Sequence, residues 1–97
     1  MSRSRQEILL QLKSAKPGLE REFPLRRLAL FGSWAREEAS ADSDVDVLVE
    51  VDPSIGLRFV TLAERLEAVL GQRVDLVSQR AIQPSLWKLI EPELIDV

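Results

Sequence analysis

Residues 44–51 alternate valine with acidic or aliphatic residues, and this alternation constrains the fold more than any other feature of the chain. Successive side chains of a β-strand point to opposite faces, so the four valines share one face. The opposite face carries the residues between them, which are Asp44, Asp46, Leu48 and Glu50. The pattern predicts a strand from Asp44 to Val51 with one apolar face and one partly acidic face.

The rest of the 97-residue chain predicts helices alternating with short strands, in one domain over residues 1–97. Ser4 and Glu7 have the spacing of a capping box, and we expect a helix over residues 5–16 that breaks at Pro17-Gly18, with a second short helix to Glu22. The other expected elements are a strand at 25–31, a short helix that starts at the glycine-serine turn and includes residues 34–38, a loop at 39–43, a helix at 56–70, a strand at 73–77 and a short helix from residue 84. Residues 94–97 are compatible with either a helix end or a strand.

The composition excludes several kinds of active site. The chain has no cysteine and no histidine, which removes disulfides, thiol nucleophiles, histidine bases and zinc sites built from these residues. It also has no tyrosine, so a general base must be a carboxylate or a lysine. A bound metal must have oxygen ligands, which favour magnesium, manganese or calcium.

Charge and hydropathy restrict the expected partners and location. The net charge of −3 does not support a surface that binds long nucleic acid. No apolar run approaches the ~20 residues of a membrane span, and the N-terminus has no apolar signal region. We therefore expect a cytoplasmic protein that does not enter a membrane.

Three aspartates are candidates for metal binding and catalysis. Asp44 and Asp46 point the same way from one strand and repel each other unless a cation lies between them, although a simple wet acidic face would look the same. Asp75 stands in a short apolar strand, Val-Asp-Leu-Val. If that strand neighbours the first one, Asp75 can bind metal and accept a proton from an attacking hydroxyl. Otherwise it is a strand-end acid paired with Arg73 or another base.

A glycine-serine turn follows the apolar run at 28–31 and is a candidate phosphate site. Gly32 lets the backbone approach a ligand closely, and Ser33 adds a hydroxyl donor, although an ordinary strand–helix turn has the same residues. Arg36 lies one helical turn further and can meet phosphate oxygens. It can equally pair with the nearby acids, which are Glu37, Glu38 and Asp42.

Together these motifs resemble the polymerase-beta-type nucleotidyltransferase superfamily. The segments that carry the resemblance are Gly-Ser-Trp-Ala-Arg at 32–36, Ser-Asp-Val-Asp-Val-Leu-Val at 43–49 and Arg-Val-Asp-Leu-Val at 73–77. In detail they are similar to the minimal branch of small stand-alone domains. Members of that branch are typically the antitoxin of a toxin–antitoxin pair whose toxin is an all-helical HEPN ribonuclease.

The resemblance implies a fold and a set of site residues. The fold would be α+β, a two-layer arrangement of a small mixed β-sheet flanked by helices. Asp44 and Asp46 would hold two magnesium ions with Asp75 as the third carboxylate, while Gly32 and Ser33 would hold the triphosphate. One departure is Glu37, because relatives commonly have glycine after the arginine; an acid there would weaken nucleotide binding unless it points outward.

The resemblance also implies a reaction, transfer of AMP from ATP to a tyrosine hydroxyl of a HEPN-type toxin. Two other hypotheses fit the same sequence. A non-catalytic antitoxin would neutralise its partner by contact alone, with the apolar segment 82–97 as its interface. An orphan nucleotide-binding module would bind ATP without a partner and without transfer.

Overall fold

The computed structural model describes residues 3–97, so Met1 and Ser2 of the expected domain lie outside the described part. In this described part, four α-helices and four β-strands follow one another: α1 (Arg5–Glu22), β1 (Leu25–Phe31), α2 (Gly32–Ala35), β2 (Val45–Val51), α3 (Arg58–Leu70), β3 (Val74–Ser78), α4 (Pro84–Ile90) and β4 (Ile95–Asp96). Short 3-10 helices at Pro53–Ile55, Gln79–Ala81 and Glu91–Glu93 connect some of them. The described residues contain no helix with the length and apolar character needed to cross a membrane.

The strands form one mixed sheet in the order β3-β2-β1-β4. β1 pairs antiparallel with both β2 and β4, whereas β2 and β3 run parallel. The predicted α+β fold with a small mixed sheet is therefore confirmed. The parallel pair matters most here, because it places β3, which carries Asp75, beside β2.

The two faces of the sheet are covered differently. Helices α1 and α3 pack on one face, where Leu12, Leu66 and the first three valines of β2 are fully buried. The opposite face is covered by α4 and the residues after it, through a smaller cluster that contains Phe31, Leu48 and Ile90. The predicted alternation of β2 is confirmed, and its acidic side lies on the face with the thinner cover.

The expected break in the first helix is wrong, since α1 continues through Pro17 to Glu22. Proline inside a helix costs about 3 kcal/mol through its missing N–H and its ring. Leu19 and Phe23 lie beyond it and are 5% and 3% exposed. Burying each of these side chains contributes about 1.5–3 kcal/mol, which offsets the proline, and Pro17 itself faces solvent.

The short helix starts at the glycine-serine turn, as predicted, but it ends before the expected residue 38. It begins at Gly32 and ends at Ala35, with Arg36 as its C-cap. Glu37 has a φ of 60°, in the left-handed region that stops a right-handed helix. Glycine would adopt this backbone angle without the steric cost that a side chain adds.

The remaining predicted elements agree with the structure to within one or two residues. Asp44 precedes β2 rather than beginning it. Gly71 ends α3 with a φ of 68°, as a C-terminal glycine stop does. Of the two alternatives for residues 94–97, the strand is correct, because Ile95 pairs with Leu30 of β1.

Candidate active site

Two of the predicted acids are direct neighbours across the parallel strands. Asp46 of β2 and Asp75 of β3 are Cα partners in the ladder, so their side chains leave the sheet on the same face. Asp46 is half-buried and Asp75 is exposed at the sheet edge. The condition set by the sequence, that the strand of Asp75 should adjoin the strand of Asp46, is met.

The environment of Asp46 disfavours its charged form and raises its pKa from 3.8 to about 6. Burial is the largest cause, followed by the charge of Asp75 and a hydrogen bond with it, and then by the charge of Asp44. Arg36 acts in the opposite direction. The electrostatics thus link all three predicted acids and the predicted arginine to one centre.

Gly32 stands against this acidic pair. It follows Phe31, which pairs with Asp46 across the antiparallel ladder. Gly32 is buried and has a φ of +75°, and a Cβ added to it would lie 2.8 Å from the Cγ of Asp46. The predicted phosphate turn and the predicted metal ligand are therefore in direct contact through a residue that has to be glycine.

The turn is also tied to the residue that precedes Asp44. Trp34 is 6% exposed, and its indole Nε1 donates to the carbonyl oxygen of Ser43 at 3.2 Å. The Gln72 side chain donates to the same oxygen, also at 3.2 Å. These two hydrogen bonds fix the backbone from which the Asp44 carboxylate extends. No sequence pattern indicates this role for Trp34, because its hydrogen-bond partner is nine residues away in a loop.

Arg36 has one expected partner and one that the sequence did not indicate. Its Nε lies 3.0 Å from the carboxylate of Glu38, one of the predicted neighbours. Its Nη1 lies 2.9 Å from Oε2 of Glu93, which is 57 positions away. The other oxygen of Glu93 accepts from the backbone N–H of Gly32 at 3.2 Å. No local pattern marks Glu93, because the contact depends on how the C-terminal segment crosses the sheet.

Glu37 points away from the acidic pair. Its carboxylate lies 3.3 Å from the Arg5 guanidinium at the start of α1 and is 65% exposed. The same guanidinium donates to the Ala35 carbonyl oxygen at 2.9 Å. Arg5 thus binds the carbonyl oxygen at the end of α2 and pairs with Glu37, the residue that departs from the family pattern.

The metal-binding role of Asp44, Asp46 and Asp75 stays a prediction. Within residues 3–97 no three acidic, histidine or cysteine side chains are grouped closely enough to form a ready metal site. The phosphate-binding roles of Gly32, Ser33 and Arg36 also stay predictions. What the structure brings together is Asp46, Asp75, Gly32 and Arg36, with Asp44 within electrostatic reach.

The fold and this cluster define a small α+β domain with an acidic centre beside a glycine-serine turn. A model of the nucleotidyltransferase domain matches residues 12–96, and the chain belongs to that family. It is 42% identical over 94 residues to the protein adenylyltransferase MntA of Thermococcus cleftensis, an alignment that covers 95% of this chain and 94% of the relative. The resemblance identified from the motifs and the prediction of a nucleotidyltransferase are confirmed.

Solved structures give the same result. A candidate minimal nucleotidyltransferase is 33% identical, with a TM-score of 0.82 and coverage of 98% of this chain and 97% of the other. A toxin–antitoxin crystal structure with AMP-PNP is 25% identical, with a TM-score of 0.67 and coverage of 95% and 70%. A complex of a tri-AMPylated Shewanella oneidensis HEPN toxin with its MNT antitoxin is 24% identical, with a TM-score of 0.67 and coverage of 92% and 70%, and shares the fold.

Proposed function

We propose that this chain is an antitoxin that transfers AMP from ATP to a tyrosine hydroxyl of a helical HEPN-type toxin. AMPylation of this kind would silence the ribonuclease activity of the toxin. The 42% identical relative is named a protein adenylyltransferase, and a structural neighbour is a toxin–antitoxin complex with an ATP analogue. The proposed reaction would take place in the cytoplasm.

The observation that carries the proposal is the pairing of Asp46 with Asp75 beside Gly32. Two carboxylates on adjacent strands repel each other, and this repulsion adds to burial, the larger cause, in raising the pKa of Asp46. A divalent cation removes the repulsion, and an all-oxygen donor set suits Mg²⁺. Asp44 and Asp46 would hold two Mg²⁺ ions with Asp75 as the third ligand. Bound Mg²⁺ would neutralise phosphate charge and lower the barrier to attack on phosphorus.

Backbone and side-chain groups of the turn would bind the substrate, and Asp75 would accept the proton. The Gly32 N–H, the Ser33 hydroxyl and the Arg36 guanidinium would hold the triphosphate oxygens. The acceptor oxygen attacks the α-phosphorus and gives its proton to Asp75. The bond from that phosphorus to the bridging oxygen breaks, and its electron pair leaves with pyrophosphate.

The helix that covers the site face offers a surface for a partner protein. In α4, Leu86 is 49% exposed and Leu89 is 73% exposed, while Ile90 of the same helix packs against the sheet. Exposed leucines next to an active centre suit an interface that delivers a protein substrate. The predicted interface at residues 82–97 includes this helix.

The decisive experiment incubates the purified protein with Mg²⁺, ATP and its cognate helical toxin. An AMP-sized mass increase on one toxin tyrosine is expected, and it should be lost in Asp46→Asn. Glu50→Gln is the matched control, because Glu50 lies on the same face of β2 but away from Gly32. A toxin that gains no mass with the wild-type protein contradicts the proposal.

Neutralisation by binding alone is the alternative, and the exposed leucines of α4 favour it equally. The two mechanisms differ in what happens when the acids are removed. A double variant, Asp44→Asn with Asp46→Asn, should bind the toxin but leave its ribonuclease active if transfer is required. Full neutralisation by that variant would establish the binding mechanism instead.

A further inference from the structure

The carboxylate of Glu93 binds two groups, the Gly32 N–H and the Arg36 guanidinium, that would bind the triphosphate in the proposed function. One oxygen accepts from the Gly32 N–H at 3.2 Å, and the other lies 2.9 Å from Nη1 of Arg36. A carboxylate presents the same kind of charged acceptor oxygens to an amide and a guanidinium as a phosphate does. We infer that Glu93 is an internal competitor of the nucleotide, which must leave this position before the triphosphate binds. The inference rests on the proposed function and concerns how its site is regulated.

The fold holds Glu93 in this position. Glu93 ends the 3-10 helix Glu91–Glu93, which is attached to the sheet on both sides. Before it, Ile90 is 7% exposed and packs against the sheet, and after it Ile95 pairs with Leu30 of β1. The Glu93 side chain is itself only 25% exposed. Because the backbone is fixed, a change of side-chain rotamer is the simplest way for Glu93 to vacate the turn.

The positive charge of Arg36 is already balanced by carboxylates when Glu93 is bound to the turn. Its guanidinium lies near two carboxylates, those of Glu38 and Glu93. Glu38 is 65% exposed and accepts from Nε of Arg36, whereas Glu93 accepts from the terminal Nη1 and also from the turn. An arriving triphosphate would therefore meet the Glu93 carboxylate rather than a free guanidinium. The repulsion between the negative charges of the carboxylate and the triphosphate opposes binding. Nucleotide affinity is thus set below the value that the turn alone would give.

The variant Glu93→Gln distinguishes competition with the nucleotide from a purely structural role of Glu93. Its amide oxygen can still accept from the Gly32 N–H, but the side chain no longer offers a negative charge to Arg36. Glu91→Gln is the matched control, because it removes the same charge from the same 3-10 helix. The Glu91 carboxylate contacts the indole of Trp87 at 3.1 Å and not the turn.

Isothermal titration calorimetry with ATP in the presence of Mg²⁺, and separately with inorganic tripolyphosphate, tests the inference. Glu93→Gln should bind both probes roughly three- to tenfold more tightly than the wild type. This is the size expected for the loss of one partly exposed ion pair, between Glu93 and Arg36. Glu91→Gln should stay within about twofold on the same scale. Glu93→Ala should shift in the same direction as Glu93→Gln, and circular dichroism melts show whether each variant is folded.

The possible failures are distinguishable. Unchanged or weaker binding by folded Glu93→Gln overturns the competitor role and leaves the proposed function intact. An equal gain in Glu91→Gln also overturns it, because the effect would then be one of net charge. If neither the wild type nor any variant binds nucleotide, the proposed function itself falls, and the competitor role with it.

Discussion

Gly32 and Asp46 share a space that has room for only one side chain. A Cβ on Gly32 would overlap Oδ2 of Asp46 and lie 2.8 Å from its Cγ, and the φ of Gly32 is +75°. The acid of β2 thus fills the volume that a larger residue at position 32 would need. This contact joins the glycine-serine turn to the carboxylate pair without any intervening residue.

Replacing Gly32 by alanine should therefore damage both stability and activity. The new methyl group must displace the Asp46 carboxylate, and alanine at this φ adds backbone strain, so we expect a loss of about 1–3 kcal/mol in urea unfolding. Adenylyl transfer should fall by at least about tenfold, since a misplaced catalytic group is costly. Gly71→Ala is the control: its φ is +68° but nothing lies within 4 Å of an added Cβ. That variant should lose stability and keep its activity.

The raised pKa of Asp46 predicts a pH-dependent stability without metal. The folded protein holds this proton up to about pH 6, whereas the unfolded chain releases it near pH 3.8. The folded state therefore binds more protons between these values, and the contribution of Asp46 to stability is lost as the pH rises from about 4 to above 6. Asp46→Asn should melt at a higher temperature than the wild type at pH 7. The difference should vanish near pH 4, and equal melting temperatures at both pH values would contradict this account.

Mg²⁺ should reverse the loss of stability that the charged form of Asp46 causes. A cation between Asp46 and Asp75 removes their repulsion, so Mg²⁺ should raise the melting temperature of the wild type at pH 7.5 and leave Asp46→Asn almost unchanged. Below pH 6 the proton competes with the metal, and affinity should fall about tenfold for each pH unit. Thermal melts across a Mg²⁺ titration measure both effects. Glu50→Gln should respond like the wild type.

Glu37 predicts a stabilising substitution. Its φ of 60° is strained for a residue with a side chain, so Glu37→Gly should gain about 1 kcal/mol of unfolding free energy. The exposed ion pair with Arg5 that is lost is worth less than about 0.5 kcal/mol. Glu37→Ala removes the same ion pair but keeps the strain, so the difference between the two variants isolates the backbone contribution. ATP affinity should be unchanged in both, because this carboxylate faces Arg5.

Local sequence patterns predicted the parts of the site that depend on local geometry. Alternation placed Asp46 on the face opposite the valines, and the end of an apolar run placed the turn at Gly32. The neighbouring position of Asp75 could only be stated as a condition, because strand order is not encoded in either strand alone. The register of β2 and β3 then paired the two acids directly.

The parts that sequence reasoning missed all depend on distant contacts. Pro17 predicted a helix break, but burial of Leu19 and Phe23 on the core carries α1 through it. Glu93 reaches Arg36 across 57 positions, and no periodicity marks such a pair. The sequence around Trp34 does not indicate its hydrogen bond to Ser43, because the bond depends on the path of the loop between them.

The central position of β2 has a practical consequence for folding studies. Asp46 faces Phe31 on the antiparallel side and Asp75 on the parallel side, so its surroundings come from three separated stretches of chain. Neither the β1–α2–β2 unit nor the β2–α3–β3 unit contains the whole cluster. Enzymatic turnover would then report the population of molecules in which all three strands are joined, and partly folded species would be silent in the assay.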